Sequence, residues 1–168
     1  MRLVEFLNAK CTKELEETFL RCCGSTRWAK QMANSAPFSS RNDLHLLAIG
    51  IWNGLGREDY LEAFKAHPQI GASVEELRKK FQKTSNWSSG EQSGIQAASE
   101  ETIQALKVAN AQYLDRFGYI FIVCATGKSA EEMLAIVQAR LLNEPEVELP
   151  IAAKEQEKIT TIRLEKLL

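Results

Sequence analysis

The chain has 168 residues, 45% of them hydrophobic and 26% charged, with a formal net charge of −1. That length supports one domain with a single core, and a near-neutral balance gives no pull toward nucleic acid or an anionic membrane surface. No apolar run approaches the roughly 20 residues of a membrane span. MRLVEFLNAK lacks the apolar stretch of a signal peptide and LEKLL carries no peroxisomal address, so a soluble cytoplasmic protein is expected.

Helical periodicity dominates in chain order. It predicts helices over Thr12–Cys23, Arg27–Asn34, Arg41–Asn53, Glu58–Ala66, Val74–Lys83, Ser89–Arg116, Ala130–Leu142 and Ile151–Leu167. Ser73 with Glu76, Ser88 with Glu91 and Ser129 with Glu132 have capping-box spacing. Pro37, Pro68, Pro145 and Pro150 are read as breakers between helices, and Gly118 as the stop of the long helix. Tyr119–Cys124 resembles a strand but has no partner, so it is read as a buried extended or helical segment. The fold class is all-α, a single-domain bundle of about eight helices.

Cys11, Cys22, Cys23 and Cys124 include no C-x-x-C pair, and His45 and His67 are the chain's two histidines. The cysteines therefore read as reduced and mostly buried, and a metal site is not expected. The Rossmann, P-loop, zinc-protease and nucleophile-elbow signatures are all absent, which leaves ordinary side chains to act on a reactive substrate.

His67, in Ala66-His67-Pro68-Gln69, is held out of helical geometry by the following proline. The helix C-terminus there favours imidazolium, which suits a proton donor; the alternative is a histidine that caps the last turn. Glu91 is the acid of a capping box, yet it sits with Ser88 and Gln92 on a first helical turn, where free N–H groups attract anions. Arg163 shares a helical face with Ile159 and Leu167, so its guanidinium either snorkels to water or meets an anion. Arg140 reads as a charge at a helix C-terminus, and His45 as a packed or surface histidine.

In family order the chain carries Leu7-Asn8-Ala9, Ala36-Pro37-Phe38-Ser39, Ala66-His67-Pro68 and Glu91-Gln92-Ser93-Gly94. Asn110-Ala111-Gln112-Tyr113, Arg116-Phe117-Gly118-Tyr119-Ile120-Phe121-Ile122, Lys158-Ile159 and Arg163-Leu164 follow. Together these resemble the 2-oxo-4-hydroxy-4-carboxy-5-ureidoimidazoline (OHCU) decarboxylase family across nearly the whole chain. The resemblance implies stereospecific, cofactor-free decarboxylation of OHCU to S-allantoin, with His67 as proton donor and Glu91 as its companion. It implies ligand contacts from Pro68, Ser88, Gln92 and Arg163, and main-chain contacts from Phe121, Ile122, Val123, Cys124 and Ala125. It also implies a homodimer working beside a urate oxidase and a hydroxyisourate hydrolase. Gln69 departs from the family's usual Asp, Arg or Lys, and Phe38 lacks the usual preceding Arg-Pro. A non-catalytic helical interaction module and a decarboxylase of a related ureido acid are the alternative readings.

Overall fold

The computed structural model describes residues 2–68, 74–79 and 99–167, and these are helical with irregular connections and no strand. The all-α expectation therefore holds. The chain falls into two compact units, Met1–His67 with Leu149–Leu168, and Pro68–Glu148.

In the first unit, α1 (Leu3–Asn8), α2 (Thr12–Cys22), α3 (Thr26–Asn34), α4 (Arg41–Asn53) and α5 (Arg57–Lys65) precede the unit's part of the last helix. Each start is capped locally. The Ser25 hydroxyl accepts from the Trp28 amide, the Ser40 hydroxyl from Asp43, and the Asp59 carboxylate from Gly56. Leu7, Leu15, Phe19, Trp28, Met32, Leu44, Phe64 and Leu164 form the core. Two buried indoles donate to carbonyls, Trp28 to Ala48 at 3.0 Å and Trp52 to Ala153 at 2.9 Å. Each hydrogen bond offsets the cost of carrying an N–H into an apolar interior.

In the second unit, residues 74–79 (α6) precede α7 (Glu100–Phe117) and α8 (Ala130–Arg140). Ile103, Leu106, Tyr113, Phe117, Met133 and Val137 form its core with the non-helical segment 119–124. That segment is mostly buried and is not helical, which rules out one of the two forms expected. Gly118 ends α7 at φ 80°, in the left-handed region where glycine has no Cβ penalty.

Two expectations are corrected. The long helix does not run from Ser89: Ser99 is extended (ψ 151°) and its hydroxyl caps α7 at the Thr102 amide. Ser99-Glu100-Glu101 carries that start signal, which unbroken periodicity concealed. Pro145 and Pro150 do not separate helices, because both lie in α9 (Pro145–Glu165). Pro145 opens the helix, where its missing N–H has no partner to lose. Pro150 and Glu146 are both exposed, so the carbonyl that the proline releases lies on the solvent side. The short α1 was not anticipated, since six residues are too few for a periodic signal. The Ser73 and Ser88 capping boxes lie outside the described residues. The Ser129–Glu132 box forms in both directions, at 3.1 and 3.2 Å.

No helix among the described residues is long and apolar enough to cross a membrane. Among the same residues no group of three or more His, Cys, Asp or Glu is placed to hold a metal ion.

Candidate active site

Helix α9 places Gln156, Thr160 and Arg163 at spacings of four and three, so the three side chains share one face. His67 follows α5, its amide donating to the Phe64 carbonyl at 3.2 Å. The imidazole meets that face of α9. Its Nε2 lies 2.5 Å from Gln156 Oε1, and its Nδ1 lies 3.4 Å from Arg163 Nη2. Arg163 Nη1 points to the Cys22 carbonyl at the C-terminal end of α2, also at 3.4 Å.

The electrostatics of this cluster differ from the expectation at His67. The end of α5 was expected to favour imidazolium, but the His67 pKa is lowered. Burial is the main cause, the Arg163 guanidinium adds to it, and the Gln156 hydrogen bond opposes both. The ring therefore rests neutral near pH 7. Cys22 and Cys23 are also protonated, their thiols pushed up to about 11, chiefly by burial. Among the described residues Arg163 is thus the one fixed charge acting on the imidazole. Its two contacts within the unit are long, which leaves a guanidinium with donor capacity for a planar anion. Within the unit Arg163 is held beside His67 and the Cys22 carbonyl, neither of them an anion.

Buried Gln156 and Thr160 were missed by the sequence reading. The available signal was polar residues on the same face as Ala152, Ala153 and Leu164, all of them buried. Pro68 is described but begins the second unit, and Ser88, Glu91, Gln92 and Gln69 lie outside the described residues.

The second unit holds Phe121–Ala125, the segment expected to supply main-chain contacts. Three of its carbonyls are already engaged: Ile122 by Arg140 Nη1 at 2.6 Å, Cys124 by Lys128 Nζ at 2.6 Å, and Ala125 by the Lys128 amide at 3.1 Å. Arg140 is not the exposed terminal charge that was expected. It is 6% exposed and paired at 2.5 Å with Glu148, which is 0% exposed. The Tyr113 hydroxyl donates to the same carboxylate at 2.5 Å and Asn143 Nδ2 at 2.9 Å, while Phe121 packs 4.8 Å from the guanidinium. A buried carboxylate eight residues further on, in the next helix, is what draws Arg140 inward.

These features define an all-α protein with a neutral, fixed histidine beside a half-buried guanidinium. The family model for OHCU decarboxylase matches residues 8–165. The chain belongs to the OHCU decarboxylase family. It is 41% identical over 154 residues to the uric acid degradation bifunctional protein TTL of Arabidopsis thaliana, covering 90% of this chain and 47% of that relative. It is 30% identical over 165 residues to the bifunctional protein PucL of Bacillus subtilis (strain 168), covering 98% of this chain and 32% of that relative. The chain thus spans about a third to a half of the length of these bifunctional relatives. A crystal structure described as OHCU decarboxylase in the presence of (S)-allantoin superposes with a TM-score of 0.73 at 40% identity, covering 90% of this chain and 96% of that one.

Proposed function

We propose that this protein decarboxylates OHCU to S-allantoin and CO2 in urate breakdown, with His67 delivering the proton that sets the configuration. The observation that carries the reading is the clamping of His67 between Gln156 Oε1 and the Arg163 guanidinium, in a chain of this family. In this substrate the departing carboxylate stands next to a ring C=N bond, which accepts the electron pair that other decarboxylases pass to a cofactor. The protein then has to orient the carboxylate and deliver a proton to one face, the acid contributing about 10²–10⁴-fold.

The reaction consumes one proton. The ring nitrogen is protonated as it takes the pair released with CO2, the hydroxyl proton passes to Glu91 as the carbonyl forms, and His67 protonates the carbon. The negative charge that the substrate brings near Arg163 offsets the guanidinium's push on the imidazole, so His67 gains its proton as substrate binds. Arg163 and Gln92 hold the ureido carbonyls or the ring oxygens, and Pro68 and Ser88 complete the contacts. With the carbonyls of Ile122, Cys124 and Ala125 engaged, the segment Phe121–Ala125, Val123 included, offers the ligand its amide N–H groups. No cofactor takes part. The protein works in the cytoplasm as a homodimer, downstream of a urate oxidase and a hydroxyisourate hydrolase.

Circular dichroism of the coupled reaction, started from urate with those two enzymes, tests the reading. Rapid appearance of the S-allantoin signal only when this protein is added is the expected result. Racemic product at the spontaneous rate overturns it. His67→Ala and Glu91→Ala should remain folded and lose chiral product.

A further inference from the structure

Behind His67 runs a chain of three polar side chains with a single consistent direction. At the far end of this chain Thr160 neighbours the Cys23 thiol. Thr160 Oγ1 receives Gln156 Nε2 at 3.1 Å, and an amide NH2 can only donate. This fixes which end of the Gln156 amide faces which neighbour. Its oxygen points at His67 Nε2, 2.5 Å away, and an amide oxygen can only accept. The ring proton must therefore sit on Nε2. Nδ1 is left with its lone pair facing Arg163 Nη2, a group that can only donate.

We infer that Gln156, locked by Thr160, is the positioning residue that fixes the tautomer of His67 and makes Nδ1 the atom through which it exchanges its proton. The inference rests on His67 being the proton donor. Gln156 reaches no reacting atom, but it decides which ring nitrogen is available to one. An Nδ1–H tautomer would turn an N–H toward the guanidinium and bury an unshared lone pair at Nε2. A histidine held in the wrong tautomer is well placed in space and useless in chemistry.

The test reads the tautomer directly and turnover separately. Nitrogen-15 NMR of the two histidine rings, with His45→Gln used for assignment, should show His67 with a protonated Nε2 and a bare Nδ1 above pH 7. Gln156→Glu keeps an acceptor at the same place and should preserve that pattern, raising the midpoint of ring titration. Among the described residues the groups facing the ring that set this midpoint are the new carboxylate and Arg163, with Thr160 and the thiols of Cys22 and Cys23 uncharged. Gln156→Leu removes the acceptor and should mix or reverse the tautomers, with kcat falling about 10²-fold and KM moving far less. Thr160→Val frees the amide to turn over and should give a partial mixture, which serves if Gln156→Leu does not fold. An unchanged His67 tautomer in both Gln156→Leu and Thr160→Val overturns the inference. A changed tautomer with unchanged turnover upholds the role of Gln156 in fixing the ring and removes His67 from the proton transfer.

Discussion

Gly24 and Ala66 pack so closely that a Cβ on the glycine would stand 2.3 Å from the Cβ of Ala66. The obstruction is a rigid methyl on the residue before His67, and the Ala63 carbonyl oxygen and Cα lie 3.4 and 3.5 Å from the same point. Gly24 is therefore needed for space, and its smallness sets how near the end of α5 approaches the chain leaving α2. Both elements carry parts of the site, His67 on one and the Cys22 carbonyl on the other.

Gly24→Ala should accordingly cost about 1–3 kcal/mol of stability, the range for overpacking a filled interior. It should also lower turnover by shifting His67 against Gln156. Adding Ala66→Gly removes the second methyl of the clash and should recover most of both losses. Thermal or urea unfolding of the two singles and the double checks this, and simple additivity of the singles would show that the two methyls do not oppose each other.

Arg140 and Glu148 carry a larger expectation. The carboxylate is fully buried and accepts from Arg140, Tyr113 and Asn143, so loss of Arg140 strands a buried charge. Arg140→Met should destabilise by about 3–5 kcal/mol, whereas a double replacement with Glu148→Gln should recover part of that loss. The same change releases the Ile122 carbonyl and so loosens the segment 121–125. Amide hydrogen exchange should therefore rise there first. Unchanged protection of Ile122–Ala125 in Arg140→Met would mean that the buried pair does not hold this backbone.

His67 gives a pH dependence whose sign is fixed by its lowered pKa. The unfolded chain binds the proton near pH 6.5, while the folded protein resists it to lower pH. Between those values the unfolded state holds more protons, so stability rises with pH. The contribution of His67 is complete above about pH 6.5 and is lost as pH falls through the folded value. Wild type should lose stability relative to His67→Gln over that window, with other titrating groups cancelling in the difference. A flat difference curve, or one of opposite slope, would show that the ring is not held neutral.

Much of the fold was legible because helix signals are local. Ser129 with Glu132 and Gly118 each announce a boundary within a few residues, and each forms as expected. What was hidden depends on partners distant in sequence. Arg140 looked like a surface charge because its carboxylate belongs to the next helix, and Pro150 looked like a breaker because nothing nearby reveals which side of α9 is wet. The motifs behind the resemblance divide in the same way. Asn8 brackets Phe38 by accepting from its amide and donating to its carbonyl, both at 2.8 Å, so those two motifs serve the scaffold. Tyr113 likewise serves the buried carboxylate. His67 and Arg163, 96 positions apart, do come together. The residues that orient the histidine stayed unread, because Gln156 and Thr160 look like ordinary polar helix positions until the buried face of α9 is known.

Arg163 can be separated from His67 by its charge. The guanidinium lowers the imidazole's pKa from 3.4 Å away and has only long contacts of its own, so its removal should act on the ring and on the substrate differently. Arg163→Gln keeps a donor but no charge. The His67 titration midpoint should move up, because burial alone then opposes the imidazolium. The KM for OHCU should rise, with kcat/KM down about 10²-fold, as expected when an anion loses a charged, two-pronged partner. Arg163→Lys should restore the low titration midpoint better than the affinity, since an ammonium supplies charge without the planar fork. The two effects are read by NMR titration and by steady-state kinetics on the same samples. A raised midpoint with unchanged KM would make Arg163 a tuning cation for His67 and place substrate recognition elsewhere; a raised KM with an unmoved midpoint would make it a substrate ligand that does not touch the ring's proton equilibrium.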